Sequence, residues 1–166
     1  MDHFLYRDGA LFAEDVPVAD IAAAVGTPFY VYSTATLKRH FTLFDDALAW
    51  GDHLVCFAMK SLSNQAVIKV LGDAGAGMDV VSVGEYLRAK AAGIPGDRIV
   101  FSGVGKSRQE LHRALEAGIG CFNVESLPEL ERLNEEAGAC GCRAPICLRV
   151  NPDVDPGSHP YISTGL

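Results

Sequence analysis

The chain has 166 residues, 49% of them hydrophobic, and a formal net charge of −7. That is enough apolar material for one ordinary core, and an acidic balance without clustered Lys or Arg excludes nucleic acid as a partner. No apolar run approaches the roughly 18–20 residues that cross a bilayer, and Met1-Asp2-His3-Phe4-Leu5 does not open a secretory leader, so a soluble cytoplasmic chain with no membrane partner is expected.

Residues Asp2 to Val25 carry a polar turn at Arg7-Asp8-Gly9 and a helical stretch from Val18 to Val25. Gly26-Thr27-Pro28 breaks the chain, and the β-branched and aromatic run Phe29-Tyr30-Val31-Tyr32 predicts a strand. Ser33 and Thr34 are caps for a helix over about residues 35–50, in which Leu37, Phe41, Phe44 and Leu48 form an apolar stripe facing a core.

The apolar run from His53 to Met59 has the composition of a strand buried on both faces of a parallel sheet, and it ends on Lys60. A lysine there either snorkels to water or is kept from it for chemistry. The polar turn Ser61-Leu62-Ser63-Asn64 follows.

Beyond Lys60 a unit repeats. Strands at Met78–Val83, Arg98–Phe101 and Cys121–Val124 are each followed by a Ser with Glu three places on: Ser82 and Glu85, Ser107 and Glu110, Ser126 and Glu129. Each pair reads as a capping box, in which the side chains satisfy one another's backbone N–H groups at a helix start. The helices end alike at Ala74-Gly75, Ala92-Gly93, Ala117-Gly118 and Ala137-Gly138, where glycine takes the left-handed conformation that closes a helix. A further strand, Pro145 to Val150, completes about five strands alternating with helices, the pattern of βα units with parallel strands.

A doubly wound sheet and a (β/α) barrel both satisfy that pattern. The C-terminal strand ends are polar throughout, at Lys60, Ser82, Ser102-Gly103, Asn123 to Glu125 and Arg149 to Asn151, on the face where barrel enzymes keep their chemistry. A dinucleotide-binding fold calls for a glycine fingerprint after the first strand, which Lys60 to Asn64 lacks. The expectation is therefore an α/β chain forming an incomplete parallel (β/α) TIM-type barrel, preceded by an N-terminal strand and helix that belong to or lead from a second β domain. Residues 1–34 form that N-terminal segment and residues 35–166 the first half of the barrel.

Gly103-Val104-Gly105-Lys106-Ser107 ends like a phosphate-binding loop, but Val100 stands where the motif needs its first glycine. A tight turn before the Ser107 cap is the expectation. The cysteines, Cys56, Cys121, Cys140, Cys142 and Cys147, are odd in number and read as reduced thiols. Cys140-Gly141-Cys142 with Cys147 lacks the second pair or histidine of a zinc site, so no metal is expected.

Several segments, taken in order, resemble one family. They are Gly26-Thr-Pro-Phe-Tyr-Val-Tyr-Ser33, Cys56-Phe-Ala-Met-Lys60, Gly77-Met-Asp-Val-Val-Ser-Val-Gly-Glu85, Phe101-Ser-Gly-Val-Gly-Lys106, Phe122-Asn-Val-Glu-Ser126, and Leu148-Arg-Val-Asn-Pro-Asp-Val-Asp155 running on to Gly165. The sequence is similar to the pyridoxal-phosphate-dependent decarboxylases of the alanine-racemase-like barrel type, and within them to those acting on diaminopimelate. A racemase's Tyr-Gly-His-Gly run after the lysine is absent, and Ser61-Leu62 stands where most relatives carry Ala-Asn.

The resemblance implies that Lys60 binds pyridoxal 5′-phosphate covalently, with desolvation at the strand end favouring its neutral, nucleophilic form. It implies decarboxylation of meso-diaminopimelate to L-lysine, with ornithine- or arginine-type decarboxylation and a non-catalytic pyridoxal-phosphate-binding module as alternatives. It places an acid, Asp79, near the lysine, where a carboxylate can steer protonation or be paired for structure. Arg149 either lends positive charge to the cofactor or makes a structural ion pair. Glu125 and Asn123 cap or tie strands, and His159 either approaches substrate from a loop or, as is commoner for a lone loop histidine, is a bystander. The partners implied are a small amino-acid substrate and, for the parent enzyme, a second copy of itself. The family's ring-stacking histidine, phosphate-gripping glycine loop, pyridine-facing glutamate and β-rich C-terminal domain are expected beyond residue 166.

Overall fold

The computed structural model describes residues 2–152, 154 and 157. It opens with a small antiparallel sheet of β1 (Phe4–Arg7), β2 (Ala10–Ala13) and β3 (Val16–Pro17). Arg7 pairs with Ala10, so Asp8 and Gly9 alone form the connection, both at positive φ (49° and 78°). That is the geometry for which Asp-Gly is selected in two-residue hairpins, and the polar turn expected at Arg7-Asp8-Gly9 is thus a hairpin turn. Helix α1 (Val18–Val25) follows with the expected bounds.

Glu14 fastens this sheet to helix α2 (Thr34–Ala47). Its carboxylate accepts from the Ala35 N–H at 2.8 Å and the Ser33 hydroxyl at 2.7 Å, and these bonds, Ala35 first, hold its pKa below the ordinary 4.5. A lowered folded-state pKa contributes stability that is complete above the ordinary value and is lost as pH falls through the lowered one. Urea-unfolding stability should therefore decline on the acid side of pH 4.5, and Glu14→Gln should flatten that decline.

Phe29–Tyr32 is not a strand. A strand needs a ladder partner, none lies beside this run among the described residues, and Tyr30 stays 89% exposed. Helix α2 stops at Ala47 rather than Trp50, and of its expected stripe only Phe41 is buried; Leu37 and Leu48 are half-buried and Phe44 is 59% exposed.

The second sheet has five parallel strands in sequence order: β4 (Cys56–Ala58), β5 (Gly77–Val80), β6 (Ile99–Phe101), β7 (Cys121–Val124) and β8 (Ile146–Leu148). Between them run α3 (Gln65–Asp73), α4 (Val83–Ala91), α5 (Arg108–Glu116) and α6 (Leu127–Ala139), each packed on the next. Sequential strand order with neighbouring helices in one row is the singly wound arrangement of a barrel, as expected, and it leaves β4 and β8 as edges. Met78, Val80, Ile99, Phe101, Phe122 and Val124 point to the helices and are 0–4% exposed. Alternate residues, among them Ala58, Asp79, Val100 and Asn123, are half-buried on the other face, which a closed barrel turns inward.

The observed strands are shorter than the apolar runs. The 53–59 run is strand only from Cys56 to Ala58, and Met78–Val83 yields Gly77–Val80 because Val83 already begins α4. Of the three capping boxes only Ser107 with Glu110 is reciprocal. Ser82 and Ser126 do accept from Glu85 and Glu129, but those glutamates reach one residue further back, to the N–H groups of Val81 and Glu125. They tie the strand end to the helix as well as capping it.

The four helices close on one motif. Gly75, Gly93, Gly118 and Gly141 take positive φ, and the N–H of the next residue reaches back to the carbonyl of Leu71, Ala89, Ala114 and Ala137 respectively. This is the Schellman closure, whose following residue is apolar; Ala76, Ile94 and Ile119 are buried there, and Cys142 takes the fourth place, exposed. The expected end at Ala137-Gly138 is corrected: α6 runs through Gly138 to Ala139 and Gly141 closes it. Gly77 is required for space. A Cβ there would lie 2.6 Å from the Arg98 carbonyl oxygen and 2.8 Å from Cys56 Sγ, so Gly77→Ala should cost about 1–3 kcal/mol of unfolding free energy.

Candidate active site

Lys60 is held by its neighbours rather than by its own side chain. The chain leaves β4 at Ala58 and makes one 3₁₀ turn, Met59–Ser61, closed by Leu62 N–H donating to Met59 O at 3.1 Å and by the Ser61 hydroxyl donating to Ala58 O at 2.7 Å. Met59 is fully buried, and the turn directs Lys60 outward, where it is exposed. The expectation of a lysine desolvated at a strand end is therefore corrected. In these described residues Lys60 lies in solvent without an ionic or hydrogen-bonded partner, because the sheet edge beside β4 is open and the short strand releases the chain before it.

Asp79 is brought to the same region by register. It pairs with Ala58 across the β4–β5 ladder, two residues before Lys60, and is half-buried on the face that a closed barrel turns inward. Its Oδ1 accepts a hydrogen bond from the Ser102 hydroxyl, just past the end of β6. Ser102 Oγ in turn accepts from Asn123 Nδ2 on β7 at 2.9 Å. A carboxylate, a hydroxyl and an amide from three successive strands thus form one chain. Cys56 stands on β4 beside it, its thiol pushed up by burial and then by the charge of Asp79.

The lysine that is buried is Lys106. Its ammonium donates to Glu129 Oε1 at 2.6 Å, to Gly103 O at 2.7 Å and to Asn123 O at 2.8 Å, and it lies 5.7 Å from the centre of the Phe101 ring. Both side chains of the pair are within 3% of complete burial. The tight turn expected before the Ser107 cap is present, but it also carries a fully satisfied internal cation that pattern reading passed over. Three acceptors account for its three protons, so it is not free to bind a phosphate.

Arg149 follows β8 and is 55% exposed. Its Nη1 donates to Glu125 Oε2 at 2.8 Å, and Glu125 Oε1 accepts from Gly103 N–H at 2.9 Å, so Glu125 ties the ends of β6, β7 and β8. His159 lies outside the described residues. All five cysteines are free, and among the described residues no group of three or more His, Cys, Asp or Glu is placed to hold a metal ion. No helix among the described residues is long and apolar enough to cross a membrane.

Residues 34–166 match the family model described as the pyridoxal-dependent decarboxylase, pyridoxal binding domain. The chain is 56% identical over 167 residues to the diaminopimelate decarboxylase of Vibrio cholerae, and 58% identical over 167 residues to that of Pseudomonas fluorescens. In both cases the match takes in 100% of this chain and 40% of the relative. Among solved structures it is similar to diaminopimelate decarboxylase from M. jannaschii, with a TM-score of 0.90, 36% identity, and coverage of 99% of this chain and 39% of that one. The Helicobacter pylori enzyme complexed with L-lysine gives a TM-score of 0.85 and 42% identity, with 90% and 38% covered. The chain thus spans about 40% of the length of the curated relatives it matches. A lysine and a carboxylate at the strand ends of a singly wound parallel sheet, on a sequence so matched, lead to one assignment: the chain belongs to the pyridoxal-dependent decarboxylase family.

Proposed function

We propose that this chain is the lysine-bearing N-terminal part of an enzyme that decarboxylates meso-diaminopimelate to L-lysine with pyridoxal 5′-phosphate. The observation that carries it is the pairing of Ala58 with Asp79, which brings an unpartnered Lys60, two residues past Ala58, and a half-buried carboxylate to the C-terminal ends of the neighbouring strands β4 and β5. Substrate identity is supported by relatives matched along the whole chain and by three similar solved structures, covering 90–98% of it, that hold L-lysine. On this reading residues 1–34 join a C-terminal β domain, and the complete enzyme is a cytoplasmic homodimer.

The residues present fit the cofactor. The Lys60 amine is accessible and uncommitted, Asp79 has one carboxylate oxygen without a partner among the described residues, and Arg149 uses only Nη1 in its ion pair. Lys60 would hold the aldehyde carbon covalently, Asp79 would carry negative charge beside that bond, and the remaining Arg149 donors would face anionic oxygens. When bound, the cofactor supplies the electron sink for the pair left on the α-carbon as carbon dioxide departs. The chain's own work is positioning: Met59 in the core and Ser61 on Ala58 O fix where the Lys60 side chain begins.

The test joins this chain to the remaining portion of the Vibrio cholerae relative and assays carbon dioxide release. Turnover of meso-diaminopimelate, with ornithine and arginine at least about a hundredfold poorer in kcat/KM, is the expected outcome. Preference for ornithine or arginine would overturn the substrate assignment.

A further inference from the structure

The hydrogen-bond chain from Asn123 through Ser102 to Asp79 has a fixed direction. An amide nitrogen can only donate, so Asn123 Nδ2 occupies a lone pair of Ser102 Oγ, and the single hydroxyl proton of Ser102 is left for Asp79 Oδ1. The main-chain oxygen of Asn123 is itself held by the buried Lys106 ammonium, which anchors the start of the chain to the Lys106–Glu129 pair. Asp79 is thereby held as an acceptor through one oxygen, and the other oxygen meets no donor among the described residues. Ala58, the residue opposite Asp79, lies two residues before Lys60, at the start of the turn that carries it.

We propose that Ser102 and Asn123 are positioning residues that act through Asp79, orienting its free carboxylate oxygen toward the protonated nitrogen that joins Lys60 to pyridoxal phosphate. The inference rests on Lys60 being the cofactor-bearing lysine. Asp79 acts on the Cys56 thiol of β4, which also feels Cys121 of β7 and Arg98 ahead of β6, whose guanidinium is engaged with the Gly75 carbonyl. Among the described residues Ser102 is the one side chain that donates to the carboxylate, so the orientation of Asp79 depends on Ser102 and that of the Ser102 proton on Asn123.

The test is a pH titration of the absorbance of Lys60-bound pyridoxal phosphate in residues 1–166, isolated as the difference from a Lys60→Ala variant, with borohydride trapping to confirm the labelled peptide. An anion a few ångströms away favours the protonated linkage, so Asp79→Asn should lower its titration midpoint by about one to three pH units. Ser102→Ala and Asn123→Ala should each lower it by about one unit, Ser102→Thr should restore it, and Ser102→Ala added to Asp79→Asn should change nothing further. If Lys60 is labelled but Ser102→Ala leaves the midpoint unmoved, or moves it equally in the Asp79→Asn background, the positioning role is wrong and the cofactor assignment survives. If Lys60 is not labelled in the parent chain, both fail.

Discussion

Lys60→Ala in the chimera with the Vibrio cholerae portion is expected to reduce kcat for meso-diaminopimelate by about a thousandfold or more. Among the described strand ends Lys60 carries the uncommitted primary amine, the group that condenses with an aldehyde to an imine, and no second lysine is placed to stand in for it. Lys106 has its three protons on Glu129, Gly103 and Asn123. Lys38, Lys69 and Lys90 sit on α2, α3 and α4, outside the strand ends. Lys60→Arg should lose as much, because a guanidinium keeps the charge but does not supply a neutral amine. If Lys60→Arg retained activity, charge rather than covalent linkage would be the role.

The second large effect is on stability. Lys106→Met leaves Glu129 buried without its cation and also frees the carbonyls of Gly103 and Asn123, which is expected to cost about 3–5 kcal/mol. For a chain of this size that lowers Tm by about 10 °C or more. The matched change, Lys106→Met with Glu129→Leu, removes both charges and should recover much of the loss, since a buried pair contributes little net stability against well-packed apolar side chains. Thermal unfolding of the two variants side by side distinguishes the cases. Equal losses in both would mean that the carbonyl contacts of Gly103 and Asn123, not the charge pair, hold the turn.

Local pattern carried the barrel half well. The Ser-x-x-Glu starts and the Ala-Gly ends are short-range devices, each complete within a few residues, and they mark the starts of α4, α5 and α6 and the ends of α3, α4 and α5. The Asp8-Gly9 hairpin was equally local, with apolar residues on both sides, yet its strands are only four residues each and gave the pattern little length to register. Phe29–Tyr32 failed for the opposite reason: strong strand composition has no effect where no neighbouring strand offers hydrogen bonds.

At the site, residue types were legible and their partners were not. The polar strand ends at Lys60, Ser102, Asn123 and Arg149 all stood out, but which of them meet depends on parallel register between elements more than twenty residues apart. Composition makes the 53–59 run a strand along its whole length and so buries Lys60, whereas the ladder ends at Ala58 and a 3₁₀ turn carries the lysine out. The same reading passes over Lys106, whose partner Glu129 lies 23 residues on and also accepts from the Glu125 N–H. A Gly-Lys-Ser turn drew attention to its serine, and burial of the lysine required knowing that the Phe101 strand packs beneath it.

Borohydride reduction after incubation with pyridoxal phosphate, followed by peptide mapping, tests the cofactor assignment most directly. Labelling concentrated on the peptide that carries Lys60, with Lys106 protected by its buried ion pair, is the predicted result. Equal labelling of Lys38, Lys69 and Lys90, or no labelling at Lys60, would contradict it.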